Sequence, residues 1–437
     1  MKRIFLLLLS GITIHAAAQT HTPVKVSLRQ AIDVGLANRY DIQANQYNIT
    51  LADNTLQESK KEWLPDISAD GNIRYNMQLQ ATFIPPGFAG SDKAQLLALG
   101  AKNATILGVT LTQPLLQPSL NTDIKMARNN LALQKEKNRS DEINIKIQIA
   151  TAYYNVLLKA LQQQIAARDE QRFHEYYTLA AGKHKQGALI ETDYLRAQLD
   201  YENAKITRVS AQQNYALAIN GLKYQVNIPA TDSLTLTDTL GVNEKPVLPE
   251  SNSYLNRTEI KQVQLQQQDI QLQLRKARQY AIPSVSVTAG YSQQYLYNDF
   301  NYTQHEWWSP FSYAGMKISI PISGNIKNQH NIRNNQLKTQ QARADLQQKT
   351  ADVLYDIQQA STELNNALLN MQTTRRNYDL SEKIYQQQQK EFALGSFAYN
   401  NLLETERSIS NVEQQYIKAE YDYLMAQIKY NKAIGAY

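Results

Sequence analysis

The sequence predicts a mainly α-helical chain that also carries one share of a membrane β-barrel, and three observations predict it. Proline and glycine are absent from two stretches, Ser119 to Ala181 (63 residues) and Asn325 to Leu394 (70 residues). Several shorter segments alternate apolar and polar residues with period two. Both kinds of feature occur twice along the chain, in the same order. At 1.5 Å per residue the long stretches would make helices of about 90 to 105 Å, a length found in coiled coils and long bundles.

The chain opens with "MKR", the apolar run "IFLLLLSGITI" and then "HAAAQT". A basic start, a short apolar core and small residues at Ala16, Ala17 and Ala18 are the marks of a secretory signal peptide, residues 1–18. The apolar run is about half of the roughly 20 residues a spanning helix needs. No later segment is apolar enough to span as a helix, and mean hydropathy is -0.50. A membrane contact by the remaining chain would therefore be made by strands. With no cysteine there is no disulfide, no thiol chemistry and no cysteine for a lipid anchor. Net charge is +6 without a clustered basic stripe, which argues against nucleic acid.

After the signal, a helix runs to Pro65 and gives way to a two-faced strand. From Asp66 to Gln80 one parity reads Ile67, Ala69, Gly71, Ile73, Tyr75, Met77, Leu79, and the other is polar. A second strand, "GVTLTQP" (Gly108 to Pro114), precedes the first long helix. That helix turns at "KHKQGALIETDYL", around Gly187, into another helix, so the pair forms a hairpin. "NIPATDSLTLTDTLGVNEKPVLPE" (227–250) is a proline-bearing connector with one short strand. The second half then repeats the first: a helix, a strand from Ser284 to Ser292, a strand at "GMKISIP" (Gly315 to Pro321), a long helix, the turn "EFALGSFAYNNLL" around Gly395, and a last helix. Residues 19–226 and 251–437 are thus two structural repeats.

The helices after the two turns share a seam. Leu402, Thr405, Ile409, Val412, Tyr416, Ala419, Tyr423, Ala426 and Tyr430 follow alternating steps of three and four, and the same steps 208 residues earlier run from Tyr194 through Ala197, Tyr201, Ala204, Arg208, Ala211, Tyr215 and Ala218 to Leu222. A 3.5-residue repeat is a coiled-coil seam in which tyrosine knobs meet alanine holes; Arg208 breaks it. Four strands cannot close a membrane sheet, because known barrels start at about eight. The barrel must be shared, and three chains would supply twelve strands with apolar parities toward lipid and polar parities toward a wet lumen. Pro65, Pro114, Pro283 and Pro321 would mark the joints between helix and strand. Trp307 and Trp308, in the loop "NDFNYTQHEWWSP", would anchor at the membrane interface.

The duplicated tips at Gly187 and Gly395, the strand ends "GVTLTQPLL" and "GMKISIPI", and "SLRQAIDVGLANRYDIQ" (Ser27 to Gln43) opening the first helix make the chain resemble the TolC family of outer-membrane efflux proteins, over nearly its whole length after the signal. The resemblance implies a homotrimer: a twelve-stranded barrel in outer-membrane lipid, continuous with a long helical barrel in the periplasm. It implies docking of a periplasmic adaptor and an inner-membrane pump, with Gly187, Ala188, Leu189, Gly395, Ser396 and Phe397 at the docking tips. It places a periplasmic gate at Asn401 and Glu404, six and nine residues after the second tip glycine, where the family carries two acids. Thr192 and Asp193 match the partners of the family's gate lock, while Phe397 and Phe392 stand where that lock has arginine and tyrosine.

The histidines beyond the signal (His21, His174, His184, His305, His330) show no ligand spacing, and there is no phosphate loop, GxSxG or hydrolytic acid pair. No metal site, cofactor or catalytic residue is expected. Two functions remain open on the residues: an export duct in the outer membrane, or a soluble periplasmic coiled-coil scaffold or adaptor.

Overall fold

The computed structural model describes residues 24–87, 92–240, 253–394 and 399–437. The signal, residues 241–250 of the connector, and Gly395, Ser396 and Phe397 lie outside them. In order, the elements are β1 (Val24–Val26), α1 (Leu28–Asn38), α2 (Tyr40–Lys61), β2 (Asp66–Tyr75), β3 (Ala81–Ile84), β4 (Gln95–Ala98), β5 (Asn103–Leu116), α3 (Pro118–Lys185), α4 (Glu191–Val226), β6 (Leu234–Leu236), α5 (Thr258–Gln279), β7 (Ser284–Tyr297), β8 (Trp308–Ser319), α6 (Gly324–Ala393) and α7 (Tyr399–Ala433). Local chemistry sets several boundaries. Ser27 and Gln30 form a capping box at α1. Pro118 takes the first turn of α3, where a missing N–H costs nothing. Gly187, at φ 71°, supplies the left-handed turn between α3 and α4. α3 and α6, at 68 and 70 residues, are each about 100 Å long. Among the described residues, no helix is long and apolar enough to cross a membrane.

Two compact units are present, each built from separated pieces of chain. The first comprises Met1–Ile42, Asp141–Ser251 and Tyr355–Tyr437. There β1 pairs in parallel with β6, over a core of Val26, Ala31, Ile149, Tyr153, Leu222 and Val226. A second core joins Ala360, Leu364 and Met371 of α6 to Ala419, Tyr423, Ala426 and Tyr430 of α7. This is the seam expected from the repeat, and Tyr416 extends it by stacking on Tyr378, with ring centroids 5.8 Å apart. Leu364 and Met371 each contribute about 1.5 to 3 kcal/mol by burial. Arg208, which breaks the pattern in α4, pairs with Glu170 on α3.

The second unit, Gln43–Ser140 and Asn252–Leu354, holds a four-stranded antiparallel sheet in the order β2-β5-β7-β8. Its register aligns Ile67, Leu111, Ala289 and Ala314 on one face, next to Ala69, Val109, Tyr291 and Ser312. Thr112 and Thr288 lie opposite Asp66 and Gly315 on the other face. Ile67, Ile73, Leu107, Val109, Met316 and Ile318 are exposed, so the apolar face is uncovered.

The strands differ from expectation in several places, among them the longer β5, which starts at Asn103 rather than Gly108, and β7, which runs on to Tyr297 rather than Ser292. β2 ends at Tyr75 although alternation continues to Gln80, because Asn76 turns the chain by bonding Lys102 O and Ala101 O. An unforeseen hairpin, β3 with β4, then intervenes. β8 starts at Trp308 rather than Gly315, paired with Tyr295. Pro114 is no joint: β5 passes through it at a register shift, and the helix begins at Pro118. At the end of the apolar face, Tyr295 is fully buried against Tyr302 and Trp308, and Trp308 Nε1 donates to Tyr302 O at 3.1 Å.

Candidate functional site

The site lies at the tip-proximal ends of α3, α4, α6 and α7, all within the first unit. At the first tip, the N–H groups of Gly187 and Ala188 close the helix end on His184 O and Lys183 O, each at 2.9 Å. Gly187 and Ala188 are exposed and Leu189 is half-buried, its carbonyl 3.1 Å from His184 Nδ1. Behind the turn, His184 stacks on Tyr194, Tyr194 on Tyr177, and Tyr177 on Tyr201, which also meets His174. This ladder of rings fastens α3 to α4. Thr192 is exposed and Asp193 half-buried in the first turn of α4, where an acid favours the helix dipole. Neither side chain bonds to α7 among the described residues.

On α7, Asn401 and Glu404 are exposed and line one open groove of about 400 Å³ with Ser381, Ile384, Gln388, Thr405 and Ser408. Thr405 fixes the groove wall by bonding Gln388 Oε1 and, at 3.1 Å, Asn401 O. The two residues assigned to the gate therefore share one wet surface. Among the described residues, no group of three or more His, Asp or Glu side chains is placed to hold a metal ion.

Sequence reasoning missed the residue that holds this end together. Glu406, two positions beyond Glu404, is 2 % exposed. Its Oε1 accepts from Tyr176 of α3 and, at 2.7 Å, from Tyr385 of α6, whereas its Oε2 is buried with no partner. Burial pushes the carboxyl above its ordinary range, against the pull of the two tyrosine hydroxyls and of Arg172. The Tyr176 and Tyr385 hydroxyls are themselves raised, first by burial and then by the bond to Glu406. Around this node, Ser410 donates to Asp169 at 2.6 Å and Asp169 pairs with Arg172. Arg168 meets Glu413 at 2.6 Å, and Arg407 meets Asp200. The signal was available: Glu406, Glu413, Glu420 and Gln427 recur every seven residues, one position beyond the small residues of the seam.

Long helical hairpins joined to four amphipathic strands with open edges define an outer-membrane duct protein. A model of the outer membrane efflux protein family matches residues 31–225 and 251–436, and the chain belongs to that family. It is 20% identical to the outer membrane protein TolC of Escherichia coli K12 over 359 residues, covering 76% of this chain and 70% of that one. It is 23% identical to the cation efflux system protein CusC of the same strain over 316 residues, covering 70% and 67%. Its fold matches a crystal structure of CusC with a TM-score of 0.75 at 19% identity, covering 94% of this chain and 92% of the other. The open state of the Neisseria gonorrhoeae MtrE outer membrane channel matches with a TM-score of 0.74 at 17% identity, covering 93% and 88%. The protein is an outer-membrane exit duct for efflux or secretion, and the soluble scaffold is set aside.

Proposed function

We propose that three copies of this chain close a twelve-stranded barrel, receive a periplasmic adaptor and an inner-membrane pump at the helical tips, and pass cargo outward without chemistry of their own. The observation that carries this is the four-stranded sheet, whose outer strands β2 and β8 have free edges and whose apolar face is exposed. Edges left unpaired in lipid would each cost several kcal/mol per backbone group, so the sheet must close with other copies. Mass measurement in detergent tests it: three chains per particle are expected, and a stable monomer overturns it. Relatives named for cation efflux and for alkaline protease secretion leave the cargo to the partner pump.

The gate follows from the same arrangement. Three Glu404 carboxylates around a narrow axis would attract cations, as acid rings do in channels, while Asn401 adds a neutral polar ring one turn nearer the tip. Thr192 and Asp193 would face the second hairpin from α4. In planar bilayers, Glu404→Gln should reduce cation preference; equal selectivity in wild type and variant removes the gate and leaves the duct intact.

A further inference from the structure

We infer that Glu406 is a positioning residue for the gate: its buried carboxylate, held from one side by Tyr176 and Tyr385, makes the joint between the two helical hairpins weaker at neutral pH and tighter in acid. The consequence for opening rests on Glu404 lining the gate; the joint itself does not.

At Glu406, α3, α6 and α7 meet on a single atom, Oε1. The other oxygen is enclosed and unpaired, so the joint carries a charge that is only half satisfied. Such a charge costs more than a neutral group of the same shape. The groups facing it are Asp169, Arg172 and Tyr176 from α3, Tyr385 from α6 and Ser410 from α7; Arg407 turns away to Asp200 of α4. Arg172 does not neutralise Glu406 alone, since it is already paired with Asp169. If the hairpins part, Glu406 meets water and regains the proton affinity of an ordinary carboxyl. The joined state therefore binds the proton more tightly, and by linkage acid favours joining. Glu404 lies two residues earlier on the same helix, about 200° around it. Loosening the buried side thus frees the exposed side to turn.

The chain has no cysteine, so spin labels can be placed cleanly on Thr178→Cys in α3 and Asn411→Cys in α7, both exposed. Labelled full-length chain is diluted into unlabelled protein in detergent, so that only distances within one chain are read. Between about pH 5 and about pH 8, the fraction of separated labels should rise about threefold or more in wild type. Glu406→Gln should hold it at the acid value throughout, and Tyr176→Phe with Tyr385→Phe should raise it at neutral pH. In bilayers, Glu406→Gln should open less often at neutral pH yet keep its cation preference when open. A pH-independent wild type, a Glu406→Gln variant more separated than wild type at neutral pH, or an unchanged opening frequency overturns the inference. The label readings should be the same in a Glu404→Gln background, so the joint and the gate fail separately.

Discussion

Replacing Tyr153 with phenylalanine removes one oxygen from the core of the first unit and leaves the ring in place. Tyr153 is fully buried, and its hydroxyl lies 2.9 Å from Asp238 Oδ2 and 3.1 Å from Val26 O. The same Asp238 oxygen accepts the Leu28 N–H at 2.9 Å, one of the free donors at the start of α1. One hydroxyl thus ties α3 to β1 and to the segment after β6. Because the ring is kept, no cavity opens, and the loss is that of a buried bond to a charged acceptor, about 1.5 to 3 kcal/mol. Local opening should then become about 10 to 150 times more frequent, at 1.36 kcal/mol per factor of ten. Amide hydrogen exchange followed by mass spectrometry reads this directly. Peptides containing Val24–Val26 and Leu234–Leu236 should exchange faster by that factor, and peptides from the distant part of α7 should not. Burial, reinforced by Asp238, holds the Tyr153 phenol above its ordinary range, so the difference should persist throughout the neutral range. A rise below about threefold, or an equal rise in every peptide, would refute the reasoning.

Ala419→Trp should overpack the seam beside Met371 and Tyr423, at about 1 to 3 kcal/mol; unchanged thermal stability would mean that the packing has slack there. Glu420 is nearly buried, and burial lifts its carboxyl above the ordinary range against the pull of Arg375. A raised carboxyl binds its proton more tightly in the folded state, so its contribution to stability falls as pH rises. Glu420→Gln should therefore raise Tm at about pH 8 and give little gain at about pH 4; a gain independent of pH would contradict this. A Cβ on Gly290 would lie 2.6 Å from Tyr313 Cε1. Gly290→Val should lower the yield of folded, heat-modifiable protein on gels, and Tyr313→Ala should restore it; failure of the rescue would place the strain elsewhere.

The helices and most strand parities were legible because each rests on a period carried by many residues, and the first tip because Gly187 takes the left-handed turn. Tyr416, Ala419 and Tyr423 repeat one spacing, and burial follows it. Pro65, Pro283 and Pro321 flank strands as expected, since proline cannot continue either element there. What was hidden depends on partners far away in sequence. β8 begins at Trp308 because Tyr295 pairs with it, and Pro114 is tolerated within a strand because the register shifts beside it. Asn401 and Glu404 were found through resemblance, and the structure adds the groove they share. Glu406 was not singled out although it heads the seven-residue series with Glu413, Glu420 and Gln427, because what marks it as a joint is the meeting with two tyrosines from other helices.

The pairing of β5 with β7 has a consequence for how the chain is made. Asn103 lies opposite Tyr297, so the centre of the sheet joins positions roughly 190 residues apart, a separation that slows folding. As the nascent chain emerges from its N-terminal side, β2 and β5 can pair early, but the hairpin they form has a bare apolar face and an unmatched inner edge. Those groups must wait in water until the second repeat arrives. An escort that binds extended apolar segments would shorten that exposure, and aggregation should rise most sharply for chains truncated between β5 and β7.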